Sequence, residues 1–543
     1  MAAAFWLTVV GPLHAEDALA HGRFGLFDAS RYRAVDGNCA DCSTPRQALW
    51  YFRGDLVAVP RVPPVAEDLS SRLPVSKDIA QWVMEGGRET PVEPFMIWLG
   101  SPEILTEATL DPTGTSVHTE TEGTMTFDVA AKIPANRSYY DAASVAFLSS
   151  RSVQVRGRTQ VDADGHKHFV ARSIWPEDFR LDVSVLPLDP LGAEESLRSL
   201  VEADQGGATS PFSARLLWER SPGAARHSAD RAVLALMLNG AQGDDDEAHG
   251  GHFAIVTGRN HRGGRIDDWL VNNFYDLGAE SEKGIIAAMV PLDNYLADLN
   301  SGQSWYRPSY LLVAVLKGPR TAVLYQNAVA RVYRRFYRHH FEYDHAYENC
   351  AGISIDTLDG LGWKIPELGR TSLAKAVGGY FYSSITDLSF ASGRKTFDYL
   401  TVDQTRLYPR AAFEVAADDL FRLLASPLLA QSEYEQMLAE DVEAIVFVRI
   451  PQLPSSRAPG TFPVGTFDEY MARVPADRSQ WKIVPVAPRE FPDALRDRPA
   501  AGPLLSATLV GVLVFGAVIG VIAAPIVAWR WRRSRLRAEV RPP

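Results

Sequence analysis

The chain is poor in cysteine, with three in 543 residues. So few exclude a disulfide-stapled scaffold, and no second Cys-x-x-Cys pair exists to complete a zinc site with Cys39 and Cys42. Lysine is scarce as well, nine against 46 arginines, a skew that with abundant alanine points to a GC-rich bacterial coding sequence. Positive charge does not dominate. The 55 basic residues face 66 acidic ones, and the net charge of −11 argues against polyanion binding, so no nucleic-acid partner is expected. Internal repeats and long low-complexity tracts are missing, and no cofactor is expected. What is present is a 46% apolar chain long enough to bury two or three cores, which excludes a disordered regulator.

From Ala501 to Trp529 there is no charged side chain, a run longer than the roughly 20 residues that cross a bilayer's hydrocarbon core. Arg530, Arg532, Arg533, Arg535 and Arg537 follow it. The pattern predicts a transmembrane helix at 501–529 and a basic cytoplasmic tail at 530–543. A single-pass membrane protein with its bulk on the periplasmic side is therefore expected. At the other end, Ala2 to Ala15 is an uncharged apolar run closing on Leu13-His14-Ala15. Residues 1–15 read as a candidate signal segment, although no basic residue precedes the run, and a buried first strand is the alternative.

Short β-prone runs separated by Pro, Gly, Asp and Asn fill residues 16–210: Ala48 to Phe52, Leu56 to Val59, Phe95 to Leu99, Thr124 to Ala130, Ser144 to Leu148, His168 to Ala171 and Leu181 to Leu186. They predict a mainly β module. Residues 228–400 have another texture. Ala229 to Leu238 is apolar at helical spacing, His252 to Gly258 reads as a buried strand, and Asp268 to Tyr275 as its return partner in a hairpin. Ser309 to Lys317 is a further strand and Thr321 to His340 a long amphipathic helix. Arg331, Arg334, Arg335, Arg338, His339 and His340 recur on it every three to four residues, which fits a solvated face. Asn349-Cys350 opens a second helix running to about Leu361. Residues 401–500 read as a helical and strand segment with a linker.

Cys350 is the thiol left over if Cys39 and Cys42 pair with each other as a local disulfide or redox couple. It stands at a helix N-terminus, where exposed N–H groups and the dipole favour a thiolate. Such a nucleophile needs a base and a group that orients the base. His252 heads the first hairpin strand. A turn centred on residues 262 and 263 places residue 252 across from residue 273, so that Asn273, or Asn272 one register step away, could bond the imidazole. Each residue also has an ordinary reading: a buried cysteine as core filler, a strand histidine as a satisfied core residue, asparagines that end a strand on their own backbone. His249-x-x-His252 has metal-ligand spacing, but Gly250-Gly251 make the segment a loop that does not align the two rings.

His252-Phe253-Ala254-Ile255-Val256-Thr257-Gly258, a return strand ending in Asn272-Asn273, and Asn349-Cys350 at a helix start resemble the circularly permuted papain-like superfamily, over about residues 246 to 390. That group includes NlpC-type cell-wall amidases and endopeptidases and lecithin:retinol-acyltransferase-like enzymes. The resemblance implies an α+β fold: a permuted papain-like domain, its antiparallel sheet packed on the nucleophile helix, beside the N-terminal mainly β module and the C-terminal transmembrane helix. It also implies nucleophile Cys350, base His252 and an orienting residue at Asn273. The reaction implied is thioester formation from an amide or ester, in a hydrolase or acyltransferase acting on a cell-envelope peptide or lipid. The departure is the third position: permuted relatives often carry histidine there, whereas this chain offers Asn272, Asn273 or Asp276. A catalytically silent, membrane-tethered binding or scaffold protein of the same fold is the alternative.

Overall fold

In the computed structural model, the described residues run from 19 to 496, less 20–21, 40–41, 43, 64–68, 70, 88, 131–139, 163, 204–212, 242–248, 278–285, 299–306, 453, 455–460 and 483–490. Long apolar runs set the centre. The strand Ala232–Asn239 is buried at every position and is paired on both edges, with His252–Arg259 on one side and Ser309–Leu316 on the other. A strand buried on both faces reads as a continuous apolar run, which also satisfies helical spacing. That is why the segment looks helical in sequence and is a strand in the structure.

Eight strands form this sheet, in the order Asp189–Pro190, Ser213–Glu219, Val442–Ile450, Ser309–Leu316, Ala232–Asn239, His252–Arg259, Leu270–Asn272 and Met289–Pro291. Every neighbouring pair is antiparallel except the first. A separate closed barrel is built from Glu103–Leu110, Ser116–Thr119, Gly123–Val129, Val153–Val161 and Lys167–Pro176. A three-stranded sheet (Tyr32–Asp36, Leu56–Pro60, Ile97–Gly100) and a two-stranded ribbon complete the β structure of the described residues.

The expected fold class is therefore corrected. The chain is mixed α/β with several sheets and a five-stranded barrel. The N-terminal part carries helices at Arg46–Tyr51, Val75–Met84 and Ala142–Ser149, two of which fall on runs read as strands. Among the described residues no helix is long and apolar enough to cross a membrane, so the single-pass periplasmic reading is not supported. Its basis, 501–529 with the tail at 530–543, lies outside the described residues, as does the candidate signal at 1–15.

The long helix Arg320–Tyr337 also departs from expectation, because Arg331, Arg334 and Arg335 of the face read as solvated are buried. Arg331 and Arg335 are buried and converge on buried Asp78 of Val75–Met84. Arg331 Nε and Nη2 reach the two carboxylate oxygens at 2.8 and 2.9 Å, and Arg335 Nη1 lies at 3.1 Å. The guanidinium groups hold the Asp78 carboxyl below its usual range against the opposing effect of burial. Val75–Met84 also packs closely on the helix Cys350–Leu361, where a side chain at Gly360 would meet Ser76 O at 2.7 Å.

Removing one partner of a buried ion pair typically costs about 3–5 kcal/mol, because charge is left uncompensated. Asp78→Ala, which strands two arginines, is expected to lower stability by this order and to lower the melting temperature in calorimetry. An unchanged melting temperature would mean that Arg331 and Arg335 do not depend on Asp78.

Candidate active site

His252, Asn239 and Ser309 share one rung of the eight-stranded sheet: His252 lies opposite Asn239, which lies opposite Ser309. All three are buried. Asn239 Nδ2 donates to Ser309 Oγ at 2.7 Å, and the Tyr295 hydroxyl donates to Asn239 Oδ1 at 2.6 Å. Beyond this rung, the imidazole Nε2 of His252 lies 2.5 Å from Asn273 Oδ1.

The route to that contact differs from the expected one. The observed register pairs Ile255 with Asn272, so residue 252 falls opposite position 275, not 273. A two-residue shift preserves the face, and Asn273 meets the histidine as a diagonal neighbour. Side-chain alternation separates the two asparagines. Asn272 turns to the long helix, where its Nδ2 donates to Ile255 O at 3.2 Å and its Oδ1 accepts from Gln326 Nε2 at 3.2 Å. Asp276 lies beyond the strand end, half-buried, whereas the atom that meets the His252 Nε2 is Asn273 Oδ1. Asn273 is held at four points: its N–H donates to Ala288 O (3.1 Å), its carbonyl accepts from the Tyr333 hydroxyl (2.7 Å), its Nδ2 donates to Ile286 O, and its Oδ1 faces the histidine. The Nδ2 contact fixes which amide atom faces the ring, so Nε2 carries the proton and Nδ1 is the basic nitrogen.

Cys350 is the first residue of its helix, buried at 5% exposure. Asn349 caps that helix, accepting from Gly352 N at 2.8 Å and donating from Nδ2 to His345 O at 3.0 Å. Around the sulfur stand the N–H groups of Phe253, Ala351 and Cys350 and the Tyr343 hydroxyl, each of which favours the thiolate. Burial outweighs them and pushes the thiol above its ordinary value. Burial likewise pushes the His252 imidazole down to about 3, helped by the Arg307 guanidinium and opposed by the Asn273 bond. At rest both groups are neutral. Among the described residues no hydrogen bond joins the thiol to the imidazole. The sulfur sits beside the backbone of the next residue along the histidine strand, and the rings of Tyr343, Tyr275 and His252 follow one another at 5.5 and 6.3 Å.

Tyr343, Tyr295 and Arg307 complete this neighbourhood and escaped sequence reasoning. Tyr343 stands seven residues before the cysteine in an irregular loop, its hydroxyl 3.3 Å from Cys350 N, and nothing periodic marks it. Cys39 and Cys42 are separate free thiols. Cys42 Sγ donates to Cys39 O at 3.5 Å, and burial with the neighbouring thiol pushes Cys42 up to about 11. His249 faces Tyr470, ring centroids 6.2 Å apart.

No family model, curated protein or solved structure matches the chain.

The imidazole gives a pH signature. Unfolded, His252 takes up a proton near pH 6.5; folded, it does so only near pH 3. The unfolded chain therefore binds more protons between these values, and stability falls as the pH drops through them. The loss from this group between pH 7 and pH 5 is about 2 kcal/mol. Urea unfolding at the two pH values is expected to show a smaller difference for His252→Gln than for the parent. Equal differences would exclude a buried neutral imidazole.

Proposed function

We propose that the chain is a cysteine-dependent hydrolase or acyltransferase acting on an amide or ester. One observation carries the reading: the imidazole is locked by Asn273 in the tautomer that leaves Nδ1 basic, one residue from the backbone N–H that faces the Cys350 sulfur. Nδ1 would take the thiol proton as sulfur attacks the substrate carbonyl carbon. The tetrahedral intermediate would then collapse, breaking the C–N or C–O bond, and the leaving amine or alcohol would receive the proton from Nδ1–H. Water or an acceptor nucleophile would release the acyl group from the thioester. The N–H groups around the sulfur and the buried Arg307 charge supply positive potential for the oxyanion. Arg307 also disfavours imidazolium, so the resting pair stays neutral and proton transfer accompanies attack. The thiol and Nδ1 must approach to about 3 Å for that transfer, and such contacts often tighten only with substrate bound.

A second reading, a catalytically silent binding module, is favoured by the buried thiol with its raised pKa and by the missing sulfur–imidazole hydrogen bond. Reaction with p-nitrophenyl acetate separates the two. A hydrolase is expected to release nitrophenol with a burst and to carry one acetyl group on Cys350 by mass spectrometry. Asn273→Ala should slow acylation by about 10- to 100-fold or more, because the imidazole loses its fixed tautomer. If native protein resists both the ester and iodoacetamide at neutral pH while the denatured chain is alkylated at Cys350, the silent reading holds.

A further inference from the structure

A cavity of about 340 Å³ opens where the barrel meets the loop that precedes Leu270–Asn272. It is remote from the cysteine. His252 and Arg259 bound the same strand, about 23 Å apart at 3.3 Å per residue, and the cavity belongs to the Arg259 end, beside Arg265 and Asp267.

Its charges sort themselves. Arg265 is engaged by Asp267, Nε to Oδ1 at 3.1 Å and Nη2 to Oδ2 at 2.8 Å, so this pair neutralises itself. Glu177 is used in construction: one oxygen accepts the Glu107 backbone N–H at 2.8 Å and the other the Ser152 hydroxyl at 2.7 Å. Two groups remain. The Glu107 side chain is exposed, on a residue held at φ 50 where its strand bulges between Leu105 and Ala108. Glutamate seldom occupies that left-handed region, and such residues cluster at ligand sites. Arg180 spends its Nε–H on Glu177 O at 2.8 Å, and its outer nitrogens have no partner among the described residues. Trp175 and Phe179, in edge contact at 6.2 Å, give the cavity an apolar wall.

Glu177 keeps its charge, but both its oxygens are occupied, so one cation and one carboxylate are left with open hydrogen-bonding atoms. With an aromatic wall, in a space at the small end of ligand pockets, they fit a molecule with a carboxylate, an ammonium group and an apolar body. We propose that this cavity binds a free α-amino acid with an apolar side chain. Arg180 takes the carboxylate through its forked outer nitrogens, Glu107 takes the ammonium group, and the side chain lies on Trp175 and Phe179.

Calorimetric titration of the full chain with L-phenylalanine tests this. Saturable binding with a dissociation constant below about 1 mM is expected, weakened about tenfold or more in Arg180→Ala and in Glu107→Gln. Both side chains are exposed, so the unliganded variants should melt with the parent. The same two contacts are tested on unaltered protein by 3-phenylpropionate, which lacks the amine, and phenethylamine, which lacks the carboxylate; each should bind at least about tenfold more weakly. Absence of saturable binding by the parent, or analogues that bind as tightly as L-phenylalanine, would overturn the assignment. The cysteine chemistry proposed above is unaffected by either result.

Discussion

His252, Asn273 and Cys350 gather at a buried end of the eight-stranded sheet, where polar groups depend on partners within the protein. That constraint sets the chemistry. It neutralises the histidine, raises the thiol, and makes the Asn273 amide a four-point fixture. It also gives the site its cost. A buried, neutral pair is stable and inert until a substrate or a local opening brings the sulfur to Nδ1, so the features that hold the imidazole in place also restrain the reaction.

The same economy recurs in the core. Asp78 reaches across from an early helix to neutralise two arginines of the long helix. Asp293 does so for Arg156 of the barrel, at 2.7 Å and with both side chains 1% exposed. Buried ion pairs of this kind add little net stability but penalise any arrangement that separates them. Here they join elements from distant parts of the chain: the first pair ties the early helix to the layer behind the site, the second ties the barrel to the sheet.

What the sequence made legible was local. Asn349 before Cys350 announces a helix start through capping chemistry, and His252 to Gly258 announces a strand through an unbroken apolar run bounded by glycine. Where two local patterns coincide, the reading fails: Ala232–Asn239 satisfies both periods, and only its two hydrogen-bonded neighbours decide for the strand. Ser144 to Leu148 reads as β-prone, yet the Asp141 side chain caps it, accepting from Ala143 N and Ser144 N, and it is helical. The arginine face fails differently, since its countercharge lies some 250 residues away and leaves no local trace. At the site, residue types and side-chain alternation bring Asn273 to the histidine, whereas the turn length that sets the register was misjudged by two. Tyr343 and Arg307, placed by irregular chain, were beyond pattern reading.

The strand Val442–Ile450 lies between Ser213–Glu219 and Ser309–Leu316. During synthesis, therefore, more than four hundred residues emerge before the sheet can close, and the two flanking strands wait with open edges. Until then the rung that carries His252 belongs to an unfinished sheet. A chain stalled or clipped before residue 442 would hold every residue of the candidate site and lack the strand that completes their support, so assembly of the site waits for the emergence of Val442–Ile450.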